Sequence, residues 1–252
     1  SAMLASSEFN GKPIKSLRTG IMAGSQCPEV LMRRVLYDLG CSEITIAYGM
    51  TETSPISFQS DVNDPVDVRV STVGRIQPHC EVKIVEDDGS ICAVGQTGEL
   101  WTKGYLVMKG YWNDTEATQS SIENGWMKTG DLATIDNEGF CRIVGRKKDM
   151  VIRGGENIYP AELEEFLTAQ KGIMEAHVFG IPDEKFGEQL VAWIIAEEGA
   201  ILNETSIQNL CKNALAYYKV PAIVRFVKEV PLTATGKPQK FKMREIMLNE
   251  TK

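Results

Sequence analysis

Four short stretches carry side chains that could act on an anionic ligand: Tyr-Gly-Met-Thr-Glu-Thr at 48–53, Lys-Thr-Gly-Asp at 128–131, Gly-Arg-Lys-Lys-Asp at 145–149, and Pro-Leu-Thr-Ala-Thr-Gly-Lys-Pro-Gln-Lys at 231–240. Between them they supply an aromatic face at Tyr48, a hydroxyl at Thr51, carboxylates at Glu52 and Asp131, and cations at Arg146, Lys148 and Lys237. Singly, each has an ordinary reading. Tyr-Gly after a strand is a turn. Thr-Gly-Asp is a turn whose Asp caps a backbone group. Gly-Lys is a turn with a solvated lysine. A fifth pattern adjoins the third: after Asp149 come four residues of extended chain, the pair Gly154-Gly155, and a helix opened by Pro160. Order and spacing must decide between these readings and a site.

The elements that would position these residues follow from periodicity. "LRTGIMAG" reads as a short strand ending at Gly24, and Pro28 suits the first turn of the next helix. Leu31, Val35 and Leu39 then recur at i, i+4 and i+8, and Gly40 closes that helix before the strand "EITIAYG". Residues 1–68 therefore read as a βα unit followed by a strand, the end of a larger α/β domain. Residues 69–147 are β-rich: "EVKIV" and "GELWTKG" flank an Asp88-Gly89 turn, and "DLATID" and "FCRIVG" flank "NEG". Short strands joined by Gly-containing turns suggest a small barrel-like subdomain. Residues 148–252 alternate helices and strands as an α+β domain of a size that folds alone. Leu163, Phe166 and Leu167 share one helical face, and "EAHVFGI", "LVAWIIAEE" and "AIVRFVKEV" read as strands. Thr205 and Gln208 form the T-x-x-Q pattern of a capping box before Ile207, Leu210, Cys211, Ala214, Leu215 and Tyr218. The fold class is α+β multidomain.

Composition excludes several functions. A formal charge of −7 speaks against a nucleic-acid-binding protein, which needs a basic face. Six cysteines without a C-x-x-C pair suggest neither a disulfide framework nor a zinc site, and two distant histidines make no multi-histidine metal centre. No apolar run reaches the ~18 residues of a transmembrane span. A reducing compartment, the cytoplasm, is expected. The start, Ser-Ala-Met, looks like the scar of a cleaved tag, so the native beginning and any organellar address lie outside this sequence.

Together the four stretches, in this order, resemble the second half of the adenylate-forming ANL superfamily: acyl-CoA synthetases, adenylation domains of peptide synthetases, and luciferases. The resemblance runs from Ser16 to Met247. It implies ATP-dependent activation of a carboxylic acid, in which the carboxylate attacks the α-phosphate and expels pyrophosphate. In those terms Tyr48 stacks on adenine, and Gly24 and Ser25 run beside it. Thr51 offers its hydroxyl to an α-phosphate oxygen, and Glu52 is a hard oxygen ligand for Mg²⁺. Asp131 accepts from the ribose hydroxyls, and Arg146 also reaches the ribose. Ala47, Gly49 and Met50 line an acyl pocket or simply pack. Lys237 bridges carboxylate and α-phosphate during adenylation. Lys148 is the hinge about which a mobile C-terminal domain turns between two half-reactions, and Gly154 and Gly155 let backbone approach the pantetheine of coenzyme A closely.

The pattern of "YGMTET", "GGENIYPAELE" and "PLTATGKPQKFKMRE" is most similar to fatty- and medium-chain acyl-CoA synthetases. The family's phosphate-gripping loop lies upstream of anything present here. The chain therefore reads as the C-terminal half of an AMP-forming acyl-CoA synthetase, inactive alone, whose partners are a small carboxylic acid, ATP and CoA. An adenylation domain that loads a carrier protein, a luciferase-like oxygenase and a non-catalytic nucleotide-binding relative are the alternatives. The last would be expected to lose Glu52, Asp131 or Lys237, and all three are present.

Overall fold

The computed structural model describes residues 2–6, 9, 11–24, 27–234 and 236–250. The chain divides into two compact units, residues 1–144 and 145–252. In chain order the first holds α1 (Ala2–Ala5), β1 (Thr19–Met22), α2 (Glu29–Tyr37), β2 (Glu43–Tyr48), β3 (Phe58–Gln59), α3 (Val66–Ser71), β4 (Arg75–Ile76), β5 (Cys80–Val85), β6 (Gly98–Gly104), α4 (Thr115–Ser121), β7 (Ile122–Glu123), β8 (Trp126–Ile135) and β9 (Cys141–Arg146), which runs across the boundary. The second holds β10 (Val151–Arg153), β11 (Glu156–Ile158), α5 (Pro160–Thr168), β12 (Ile173–Asp183), β13 (Gly187–Ala196), α6 (Glu204–Ala214), β14 (Ile223–Phe226) and α7 (Lys240–Glu250). No described helix is long and apolar enough to cross a membrane.

In the first unit β1 pairs in parallel with β2, and β2–β3 and β3–β4 pair antiparallel. The run Ile44–Ala47 is buried throughout, as a strand covered on both faces must be. Met32 and Leu36 of α2, with Val70 of α3, pack on Ile44 and Ile46. The buried face of α2 is thus centred on Met32 and Leu36, one position beyond the Leu31–Val35 line expected from sequence. Adjacent apolar residues at 31 and 32 make that phase ambiguous, and the packing against Ile44 and Ile46 settles it.

A second, half-barrel sheet has the order β5-β6-β8-β7, with β9 on β8. Its apolar face joins Ile84, Leu100, Ala133 and Cys141 to Phe58 of β3, so the two sheets share one core. Asp88 and Gly89 turn the chain after β5, but the return arm only bridges Val85 to Ile91 before β6 begins at Gly98.

The second unit is built on β11-β10-β13-β12 with β14 in parallel on β13. Leu163 and Leu167 of α5 and Ile207 and Cys211 of α6 pack on Val178, Leu190 and Ile194. Met243 and Met247 of α7 pack beside Phe179, Ile181, Val191 and Trp193. The cap of α6 differs from expectation. Asn203 Oδ1 accepts from the Ser206 backbone N–H and Ser206 Oγ accepts from the Asn203 N–H, so the capping box is Asn203/Ser206. Thr205 lies inside the helix, and Gln208 instead donates to the Pro221 and Ala222 carbonyls at 3.3 and 3.1 Å.

Candidate functional site

Tyr48 ends β2, and its hydroxyl donates to Asp131 Oδ2 at 2.6 Å across 83 residues of sequence. Two of the four stretches therefore meet. Burial, followed by the Asp131 carboxylate, pushes the Tyr48 phenol well above its usual pKa, so it remains a donor at any physiological pH. The ring also packs edge-on against Phe58 at 6.2 Å.

Asp131 is where local geometry departs most from a simple reading. Lys-Thr-Gly-Asp is no turn; it lies inside β8. Glu99 pairs with Leu132 and Trp101 pairs with Lys128, so Leu100 alone opposes residues 129–131. This bulge is stitched by Thr129 Oγ1, which donates to the Leu100 carbonyl at 2.7 Å and accepts from the Asp131 N–H at 3.1 Å. Gly130, at φ 70°, supplies the left-handed residue the bulge needs. Bulges re-aim side chains, and here the result is that Asp131, only 9% exposed, faces Tyr48.

The segment after Tyr48 is wound tightly. Thr51–Thr53 form one 3₁₀ turn, and Thr53 Oγ1 contacts both the N–H and the carbonyl of Met50 at 3.2 Å. Ser57 Oγ donates to Thr53 Oγ1 at 3.1 Å. A Cβ on Gly49 would run into the Pro55 carbonyl, so glycine is required there by the chain's own approach to itself. Thr51 is exposed and Glu52 half-buried, while Ala47 is buried and Met50 half-buried. Tyr111 Oη donates to Glu52 Oε1 at 2.9 Å, and burial together with Glu52 raises the Tyr111 pKa. The Met108 N–H donates to the Glu52 carbonyl at 2.9 Å. Glu52 is thus oriented by the loop after β6, a support that sequence reasoning missed; only the aromatic pair Tyr111-Trp112 hinted at it. Gly24 sits exposed at φ 90° after β1, and Ser25 lies outside the described residues.

The remaining candidates belong to the second unit. Arg146 is exposed at its start, and Lys147–Asp149 form a 3₁₀ turn in which Lys148 is exposed. Gly154 and Gly155 are the two central residues of a β-hairpin: Arg153 pairs with Glu156, and their φ values are 60° and 88°. A two-residue turn with both φ positive is the hairpin turn that matches strand twist, and it favours glycine for that reason alone. Lys237 lies exposed on a loop closed by its own backbone. The Thr233 N–H donates to the Lys237 carbonyl at 2.8 Å, the Gly236 N–H to the Thr233 carbonyl at 2.9 Å, and the Gln239 N–H to the Pro231 carbonyl at 2.8 Å. The Lys237 N–H donates to Thr233 Oγ1 at 2.9 Å.

Residues 1–112 match the AMP-binding enzyme family, and residues 162–237 match the AMP-binding enzyme C-terminal domain. The putative acyl-CoA synthetase YngI of Bacillus subtilis (strain 168) is 49% identical over 241 residues, which is 94% of this chain and 44% of YngI. The mitochondrial medium-chain acyl-CoA ligase ACSF2 of Danio rerio is 45% identical over 245 residues, 96% of this chain and 40% of that protein. Among solved structures, ATP-bound MatB from Rhodopseudomonas palustris superimposes with a TM-score of 0.85 at 32% identity, over 92% of this chain and 46% of MatB. The o-succinylbenzoate CoA synthetase MenE of Bacillus subtilis, in complex with its acyl-adenylate intermediate, gives 0.84 at 33% identity, over 94% of this chain and 48% of MenE. The chain spans less than half the length of each of these four proteins.

Proposed function

We propose that this chain, which belongs to the AMP-binding family of adenylate-forming enzymes, supplies the C-terminal half of an AMP-forming acyl-CoA synthetase. That enzyme adenylates a carboxylic acid, of fatty type, with ATP and then transfers the acyl group to CoA. The observation that carries the reading is the bond between Tyr48 and Asp131. It sets a strand-end aromatic ring beside a buried carboxylate, which suits stacking on adenine by the one and acceptance from ribose hydroxyls by the other. The likeness to YngI and ACSF2 over nearly the whole chain supports the choice of acid and thiol.

In this reading Tyr48 stacks on adenine beside Gly24 and Ser25, Asp131 accepts from the ribose hydroxyls, and Arg146 donates to the ribose. Thr51 holds an α-phosphate oxygen. Lys237 stabilises the charge that builds between the attacking carboxylate and the α-phosphate, the role for which a preorganised cation is most effective. Ala47, Gly49 and Met50 border the acyl chain. Residues 1–68, 69–147 and 148–252 act as the end of the large domain, a β-rich subdomain and a domain that turns at Lys148. Gly154 and Gly155 sit on the hairpin that serves thioester formation. The six unpaired cysteines suit a reducing compartment such as the cytoplasm.

Among the described residues no three His, Cys, Asp or Glu side chains gather to hold a metal ion. A single oriented carboxylate is nevertheless what Mg²⁺ uses when phosphates and waters complete its shell. Glu52, aimed by Tyr111, fits that part. The ion would neutralise phosphate charge; positioning falls to the side chains.

The test is made on the full-length protein. Acid-dependent exchange of pyrophosphate into ATP should appear with fatty acids of graded length, and AMP release should require CoA. Exchange with no acid tested, or acyl transfer to a pantetheinylated carrier and not to CoA, would refute the assignment.

A further inference from the structure

The hairpin of β10 and β11 joins the rest of its sheet through the single pair Arg153↔Gly187. The Gly154 N–H adds a bond to the Phe186 carbonyl at 2.8 Å. One residue before Arg153, where the ladder has stopped, the Ile152 N–H donates instead to a side chain, Glu188 Oε2, at 3.0 Å. The other oxygen, Oε1, lies 3.2 Å from Arg244 Nη1. Arg244 is on α7, the helix into which the Lys237 loop runs. One carboxylate on β13 is therefore shared between the hairpin that carries the paired glycines and the helix that carries the lysine loop.

The surroundings are shaped for it. A Cβ on Gly180, on the neighbouring strand β12, would sit 3.0 Å from Glu188 Oε1 and 2.9 Å from Val151 Cγ1. Any side chain at 180 would therefore push the carboxylate or β10 aside. At its N-terminal end α7 is held by Lys240 Nζ on Glu164 Oε1 at 2.7 Å, and the same oxygen accepts from the Val178 N–H at 2.7 Å. At its far end Arg225 grips Glu250 at 2.6 and 3.1 Å. Arg244 is 42% exposed, so its ion pair adds little to overall stability. The Ile152 N–H bond to Oε2 is charge-assisted and fixes the direction of the carboxylate, and the ion pair at 3.2 Å draws Arg244 towards the other oxygen.

We infer that Glu188 is a positioning residue that sets the glycine hairpin and the lysine loop in fixed relation within the second unit, resting on the reading that these loops serve the two half-reactions. It touches no substrate. It acts through the Ile152 backbone on one side and through Arg244 and α7 on the other.

The experiment compares Glu188→Ala, Glu188→Gln and Arg244→Met in the full-length protein. Pyrophosphate exchange reads adenylation, thioester formation from preformed acyl-adenylate reads the second step, and hydrogen exchange of the peptide containing Ile152 reads the tether. Alanine should lower kcat of both steps about tenfold with KM for ATP unchanged, a modest share of what small misplacements cost. Glutamine keeps an oxygen for the Ile152 N–H but loses the ion pair, so it should restore the second step and not the first. Arg244→Met should match glutamine. Exchange at Ile152 should quicken in the alanine variant alone. Unchanged kcat in all three, or equal loss of both steps in Arg244→Met, overturns the inference. If the wild type performs neither step, the proposed activity fails, and the tether is judged by hydrogen exchange: unchanged protection of Ile152 in Glu188→Ala overturns it too. If the alanine variant does not fold, Arg244→Met decides, because it removes only an exposed ion pair.

Discussion

Tyr48→Phe isolates one oxygen atom. The ring stays, with its contact on Phe58, and only the donor to Asp131 at 2.6 Å is lost. A hydrogen bond to a charged partner contributes about 1.5–3 kcal/mol, so the variant should be less stable by about 2 kcal/mol near pH 8. For a unit of this size that lowers the thermal midpoint by about 4–8 °C. The pH dependence gives a second, sharper signature. Burial and Asp131 raise the folded-state phenol pKa, whereas the unfolded phenol ionises near about 10. Above that pH the folded chain holds one more proton than the unfolded chain, so wild-type stability must fall as pH rises, by about 1.4 kcal/mol per unit. Below it the contribution is complete. Phenylalanine has no such proton. The gap between the two proteins should therefore be full at pH 8, begin to close at about pH 10 and vanish at roughly pH 11–12. Thermal or urea unfolding followed by circular dichroism at pH 8, 10 and 11 measures it. A constant gap across that range, or none at pH 8, would mean that the hydroxyl and Asp131 are not bonded as described.

Lys237→Ala in the full-length protein should slow pyrophosphate exchange by about 10²–10³ and leave thioester formation from acyl-adenylate nearly unchanged; equal losses would contradict a role confined to adenylation. Proline fixes φ near −65°, within the range of the 3₁₀ turn at Lys147–Asp149. Lys148→Pro should therefore preserve one half-reaction and nearly abolish the other, whereas Lys148→Ala leaves both close to normal; a proline variant competent in both would show that no pivot lies there. Gly49→Ala must displace the Pro55–Ile56 backbone, so it should cost about 1–3 kcal/mol and weaken nucleotide binding. Unfolding curves and an ATP titration check this, and a variant as stable as wild type would argue against the close approach.

Much of this architecture could be read from residue order. Pro160 opens α5 as a proline at the first helical position should, and the β-branched, largely apolar stretch Ile44–Ala47 is a buried strand. Where reading failed, two local solutions were chemically equivalent or the answer lay far along the chain. Asn203 and Thr205 are both good helix caps, and only the paired Ser206 decides between them. Lys-Thr-Gly-Asp has turn composition, but the ladder to β6 resumes on both sides of it; Gly130 in an otherwise strand-like run was the available sign of a bulge. The bonds from Tyr48 to Asp131, from Tyr111 to Glu52 and from Glu188 to Ile152 and Arg244 span large sequence separations, and no periodicity encodes them.

The turn at Gly154-Gly155 has a stereochemical consequence. Both residues occupy backbone angles that are strained for an L-amino acid and natural for its mirror image. Glycine is the one genetically encoded residue indifferent to that distinction. If its purpose here is only to close the hairpin, a D-alanine placed at 154 by chemical ligation should hold the turn at least as firmly as glycine, while L-alanine loosens it. If glycine is present to leave room for an incoming ligand, any methyl group obstructs that ligand, whichever its handedness. The two reasons for a glycine pair, conformation and clearance, are inseparable by ordinary mutagenesis, and chirality separates them.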